Sequence, residues 1–202
     1  MPRKLIVLVF VAAVGLTVAG IASANWLNVV RGTKNADVLT GTDNRDLILG
    51  FAGDDQISAG GARDIVRAGK GNDTVDGGAG LDALFGGPGD DTLNAGDDGA
   101  VMWGMGGNDT LNASDSGRNV LHGGRGDDTL NGGAGRDRLW GGFGADHLNG
   151  GDGNDVLHSL APDGQVDTLD CGPGDHDVAW VRSDESDVVQ NCEVVKTVSV
   201  SH

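Results

Sequence analysis

From residue 32 to residue 158 one apolar side chain recurs at every ninth position: Leu39, Ile48, Ile57, Val66, Val75, Leu84, Leu93 and Met102, then Leu111, Leu121, Leu130, Leu139, Leu148 and Leu157. A single extra residue, in the unit that begins at residue 113, interrupts the spacing. A period of nine is neither the 3.6 of an amphipathic helix nor the sustained alternation of an ordinary long strand. It fits a three-residue strand whose middle side chain is buried, followed by a six-residue turn. Such a strand cannot fold alone, but stacked coils bury a continuous ladder of these side chains. The coil is expected to be right-handed, as parallel crossovers are.

The polar positions share the period. Two places before each apolar residue stand Asp37, Asp46, Asp55, Asp64, Asp73, Asp82 and Asp91, then Ala100, Asp109, Asn119, Asp128, Asp137, Asp146 and Asp155. Glycines fill the turns, as in GGRGDDTLNGGAGRDRLWGGFGADHLN over residues 123–149. Glycine permits positive φ and a close approach of the backbone to another group. These units resemble the nonapeptide GGxGxDxUx of the repeats-in-toxin (RTX, haemolysin-type) calcium-binding proteins, over about residues 32–158. The resemblance implies an all-β, right-handed parallel β-roll, a β-solenoid in which two nonapeptides make one coil. It also implies Ca²⁺ between stacked turns, held by the Asp carboxylates and by turn carbonyls. The chemistry agrees, because Ca²⁺ takes six to eight hard oxygen ligands in irregular geometry. A phosphate-binding glycine loop would instead lead into a long helix and would not repeat.

If units alternate sides, residues two units apart stack. One stack is then unbroken: Asp37, Asp55, Asp73, Asp91, Asp109, Asp128 and Asp146. The other, Asp46, Asp64, Asp82, Ala100, Asn119, Asp137 and Asp155, is interrupted in its middle. One ion between each stacked pair of Asp residues gives about six sites and about three, or about nine Ca²⁺.

The chain carries 30 acidic and 14 basic residues among 202, a net charge of −16, which excludes nucleic acid as a natural partner. Arg3 and Lys4 precede an apolar run from Leu5 to Ala19, and Ala22-Ser23-Ala24 has the pattern of a leader cleavage site. Cleavage after Ala24 is expected, with secretion by the general export route and no lasting membrane insertion. Loss of Arg3 and Lys4 takes the charge from −16 to −18. About nine divalent ions would balance that. Without them, carboxylates about 5 Å apart on adjacent coils repel, and a disordered metal-free chain that folds on calcium is expected.

The only cysteines, Cys171 and Cys192, are most simply a disulfide in an oxidising compartment. The segment 159–202 resembles the ends of small exported bacterial proteins built from these repeats. Asp167 with Leu169 and Asp177 with Ala179 read as two degenerate last turns. A disulfide-linked cap is expected there, with Val178, Trp180, Val188, Val189, Val194 and Val195 covering the last coil. The division is then a leader at 1–24, an N-terminal cap strand at 25–31, the roll at 32–158 and the closing turns and cap at 159–202.

The seventh and ninth side chains of each unit point outward. One face carries Thr and Asn, and regular Thr arrays suggest ice or mineral binding as a remote function. The other carries an apolar file through Phe85, Trp103, His122, Trp140 and His158. Three occupants are expected for it: the chain's own C-terminal segment, a second copy in a homodimer, or an extracellular carbohydrate stacked on Trp103 and Trp140. The last would make the protein an adhesion or sugar-binding module. Arg125-Gly126-Asp127 spells an integrin-type tripeptide but falls inside the repeat consensus and is read as chance. There is no HExxH and no GxSxG, so no catalytic site is assigned and the protein is read as non-enzymatic.

Overall fold

The computed structural model describes residues 8–9 and 27–199. The expected leader and its cleavage after Ala24 lie, apart from Leu8–Val9, outside the described residues.

Because each unit must hand its apolar residue to a shared interior, successive strands alternate between two parallel sheets. One has eleven strands, beginning with Leu8–Val9 and Asn28–Arg31 and ending with Val194–Val198; the other has nine, from Val38–Thr42 to Val188–Gln190. Partners lie one coil apart. Leu84 aligns with Met102 and Met102 with Leu121 in the first sheet, and Leu93 with Leu111 and Leu111 with Leu130 in the second. The eighth-position side chains meet between the sheets, and from Val66 to Leu169 they have no exposed surface. Burying each leucine contributes roughly 1.5–3 kcal/mol relative to leaving it in water. The result is the parallel β-solenoid expected from the period.

The two sheets are built unequally. In the second, Thr74–Asp76, Thr92–Asn94, Thr110–Asn112 and Thr129–Asn131 are the expected three-residue strands. In the first, Asp82–Pro88 and Ala100–Gly106 run to seven residues. They lengthen because the opening residues of the next turn stay in register with the coil beside them, Met105 with Gly87 and Gly106 with Pro88. The turn then needs positive φ at its second position, 136° at Gly87 and 129° at Gly124. Met105 and Phe51 adopt the same conformation, at 88° and 78°, at a cost of about 1 kcal/mol each.

The C-terminal segment winds on. Thr168–Asp170 and Val188–Gln190 extend one sheet, and Val178–Arg182 and Val194–Val198 extend the other. Leu169 and Ala179 are buried in the shared core, as the two degenerate turns require. Val178 and Trp180 therefore do not cover the last coil: they are the outward side chains on either side of Ala179. Val189 packs against the core, whereas Val194 and Val195 are 42% and 50% exposed on the terminal strand. A disulfide joins Cys171 to Cys192, with Cα atoms 5.1 Å apart, and ties the final coil to the one before it.

Candidate metal centres

The sixth-position carboxylates form two buried lattices along the roll. In the first, the Asp37 N–H donates to Asp55 Oδ1 at 2.8 Å, and the same bond at 2.8–2.9 Å links Asp55 to Asp73, Asp73 to Asp91, Asp91 to Asp109, Asp109 to Asp128 and Asp128 to Asp146. In the second, Asp46 donates to Asp64, Asp64 to Asp82, and Asp137 to Asp155. The two stacks inferred from the spacing are thus brought together residue by residue, each carboxylate spending one oxygen on the neighbouring coil.

The other oxygen is left over. Oδ2 of Asp55, Asp64, Asp73, Asp82, Asp91, Asp109, Asp128, Asp137, Asp146, Asp155 and Asp177 is buried without a hydrogen-bond partner. Burial of an unpaired carboxylate oxygen is costly, and eleven repetitions point to a cation as the partner. Nine of the eleven face a cradle that glycine leaves open, while Ala59 and Ala68 take that place in the turns of Asp64 and Asp73. A β-carbon on Gly86 would lie 2.3 Å from Asp91 Oδ2 and 2.9 Å from the Gly104 carbonyl oxygen; on Gly123 it would lie 2.3 Å from Asp128 Oδ2 and 2.6 Å from the Gly141 carbonyl oxygen.

The interruption in the second stack shows what belongs in such a cradle. Asn119 is fully buried. Its Nδ2 donates to Asp137 Oδ1 at 3.0 Å and to the carbonyls of Ser114 and Gly132 at 3.4 Å, and its Oδ1 accepts the Ala100 N–H at 2.9 Å. A partly positive amide nitrogen stands among a carboxylate and two turn carbonyls. In the other turns the same oxygens face the unpaired Asp. Among the described residues no group of three or more His, Cys, Asp or Glu side chains could hold a metal by itself. An ion here must take backbone carbonyls, which suits a hard cation such as Ca²⁺ and not zinc, which prefers nitrogen and sulfur.

Hydroxyls close the ends. The Thr33 and Thr42 N–H and Oγ1 groups donate to Oδ2 of Asp37 and Asp46. Ser159, where a glycine would open the turn, bridges Asp167 and Asp187 through Oγ. The lattices also run beyond the roll assigned from sequence: Asp146 donates to Asp167, Asp167 to Asp187, Asp155 to Asp177, and Asp177 to Glu193. Asp187 with Val189 and Glu193 with Val195 keep the acid-x-apolar order of the repeat. Their irregular spacing hid them.

Metal-free, these carboxyls resist ionisation. Burial, then repulsion from neighbouring carboxylates, pushes Asp128 up to about 8 and Asp91, Asp146 and Asp155 to about 7, against the backbone hydrogen bonds that lower them.

The aromatic file is also in place, as a stack. Phe85, Trp103, His122, Trp140, His158 and Trp180 follow one another at centroid distances of 4.4–6.0 Å and within 11° of parallel. Trp180, expected in the cap, is its last ring. Arg67 and Lys196 lie over the two ends. Both faces of Trp103 and of Trp140 already meet a ring, so a sugar has no indole face there to stack on. The C-terminal segment lengthens this file and does not lie across it. In the turn that follows the strand of His122, Asp127 of the Arg125-Gly126-Asp127 tripeptide accepts the Ala145 N–H at 2.9 Å, a repeat contact like its neighbours.

Two parallel sheets closed by glycine turns, with stacked carboxylates inside those turns, define a calcium-type β-roll. A sequence profile of the RTX calcium-binding nonapeptide repeat matches in overlapping segments from residue 31 to residue 161, and the chain belongs to that family. A search of curated proteins returned no match.

Proposed function

We propose that the protein is a secreted, non-enzymatic calcium-binding β-roll that folds as it takes up Ca²⁺. The single observation that carries this reading is the row of eleven buried, unpaired Oδ2 atoms, nine of them in glycine cradles. The ligands are Asp37, Asp46, Asp55, Asp64, Asp73, Asp82, Asp91, Asp109, Asp128, Asp137, Asp146 and Asp155, with turn carbonyls completing each shell. About nine ions fill the sites between stacked Asp pairs, and the Asp155–Asp177 pair adds about one more. Bound metal supplies the positive charge that the acidic lattice lacks.

Secretion fits the chemistry. Extracellular calcium modules work at about 10⁻⁴ to 10⁻³ M, so they stay empty inside a cell and fill outside it. The leader keeps the chain on an export route, cleavage follows Ala24, and the roll sets after release. The test is a calcium titration of the chain followed by far-UV circular dichroism, with bound metal measured alongside. A disordered chain that gains β-structure as about nine to ten ions bind supports the proposal; a chain fully folded in chelator refutes the folding switch.

A further inference from the structure

The two stacks share a ligand plan but differ one position before each carboxylate. On the first side that fifth position carries Asp54, Asn72, Asp90, Asn108 and Asp127, all exposed. These side chains are fixed in place. The N–H of Asn72 donates to Asp54 Oδ1 at 2.9 Å, that of Asp90 to Asn72, that of Asn108 to Asp90 at 2.7 Å and that of Asp127 to Asn108. A formal negative charge therefore recurs at every second coil, and each one serves two. Asp54 stands beside Asp55, Asp90 beside Asp91 and Asp127 beside Asp128, and each accepts an N–H of the following coil, from Asn72, Asn108 and Ala145. A divalent ion between those coils feels the same charges as attraction.

On the second side four of the seven fifth positions carry an exposed arginine, Arg45, Arg63, Arg118 and Arg136, and the others carry Leu81, Gly99 and Asn154, none of them acidic. Arg45 stands beside Asp46, Arg63 beside Asp64 and Arg136 beside Asp137. A resident guanidinium partly does the work of a metal and repels one that arrives. Asp98 beside Asp82 and Asp152 beside Asp155 act the other way, but no alternating file of acids holds them. This side also contains the break at Ala100 and Asn119, which stand where the other turns carry an Asp.

Building on the proposed calcium roll, we infer that its two turn stacks are two classes of site: a tight, unbroken class flanked by Asp54, Asp90 and Asp127, and a weaker, divided class flanked by arginines. The fifth position is the affinity-setting residue, outside the coordination shell. The tight stack sets the roll, and the weak one responds to calcium in the range where the folded protein already exists.

The experiment is a calcium-45 equilibrium-dialysis isotherm on the full chain, with circular dichroism at saturating calcium to verify folding. Two phases are expected, about six ions in the tighter. The combined change Asp54→Asn, Asp90→Asn and Asp127→Asn keeps each acceptor oxygen and removes the charge; it is expected to weaken the tight phase by about threefold per carboxylate, the order expected for a unit charge several ångströms from a divalent ion in water, and to leave the weak phase in place. Arg45→Gln with Arg63→Gln is expected to tighten only the weak phase. A single phase that both variants shift as a whole, or a tight phase unmoved by the Asp changes, overturns the two-class inference while leaving calcium binding intact. Absence of bound calcium in the unaltered chain removes the proposed function itself.

Discussion

The Asn119 amide nitrogen lies 3.0 Å from Asp137 Oδ1, with the Gly132 carbonyl 3.4 Å away on the same coil as that carboxylate. A side-chain amide of this protein thus stands where the other turns carry the carboxylate of an Asp. Asn119→Asp is expected to convert the joint into a site and to raise the bound calcium by about one ion, measured by equilibrium dialysis. Asn119→Ala leaves the Ala100 N–H without its acceptor and removes the side-chain donor to Asp137, whose Oδ1 keeps the backbone N–H of residue 119, and is expected to destabilise the calcium-loaded roll by about 1–3 kcal/mol, read from a denaturant midpoint.

Gly86 and Gly106 separate the cradle from the turn in general. A β-carbon at Gly86 collides with Asp91 Oδ2, whereas at Gly106 it meets nothing within 4 Å. Gly86→Ala is expected to lower the ion count and shift the folding midpoint to higher calcium. Gly106→Ala is expected to do neither, in the same titration.

The pH response of the metal-free chain follows from the raised carboxyl pKa values, from about 6 at Asp55 and Asp109 to about 8 at Asp128. A carboxyl whose pKa is higher folded than unfolded favours the folded chain when protonated. That contribution is complete below about pH 4, the ordinary Asp value, and is lost as the pH rises through about 6 to 8. Circular dichroism in chelator is therefore expected to show β-structure appearing on acidification. With calcium the sign reverses, because the ligands must be deprotonated, and bound metal is expected to leave as the pH falls.

Reduction of Cys171–Cys192 is expected to loosen only the closing coils. The bridge spans 21 residues, and a loop of this size contributes about 3 kcal/mol. Hydrogen exchange on the calcium-loaded Cys192→Ser variant should speed up in Val188–Gln190 and Val194–Val198 and stay slow at Leu111 and Leu130. Equal acceleration along the whole roll would contradict a local role.

Trp140 stacks on His122 at 4.4 Å and on His158 at 4.9 Å. Two ring contacts of about 1 kcal/mol each put Trp140→Ala at a loss of about 2 kcal/mol in the denaturation of the calcium-loaded protein, with the ion count unchanged. Loss of calcium instead would show that the file supports the turns directly.

The nine-residue period by itself determined the strands, the buried ladder from Leu39 to Leu157, the two carboxylate stacks and the place of their break, because a solenoid's contacts are repeats of one local rule. It also located the outward ring file, and the cysteine count located the disulfide. Only the tertiary structure decided how that file is spent, since whether rings present faces or edges depends on the coil-to-coil spacing, which stacks Trp103 and Trp140 against their neighbours. The same spacing drew Asp187 and Glu193 into the lattices despite irregular connecting loops, and it set the Asn119 amide against Asp137. Sequence fixes which side chains share a stack; the packing of one coil on the next fixes which of their oxygens are left for a metal.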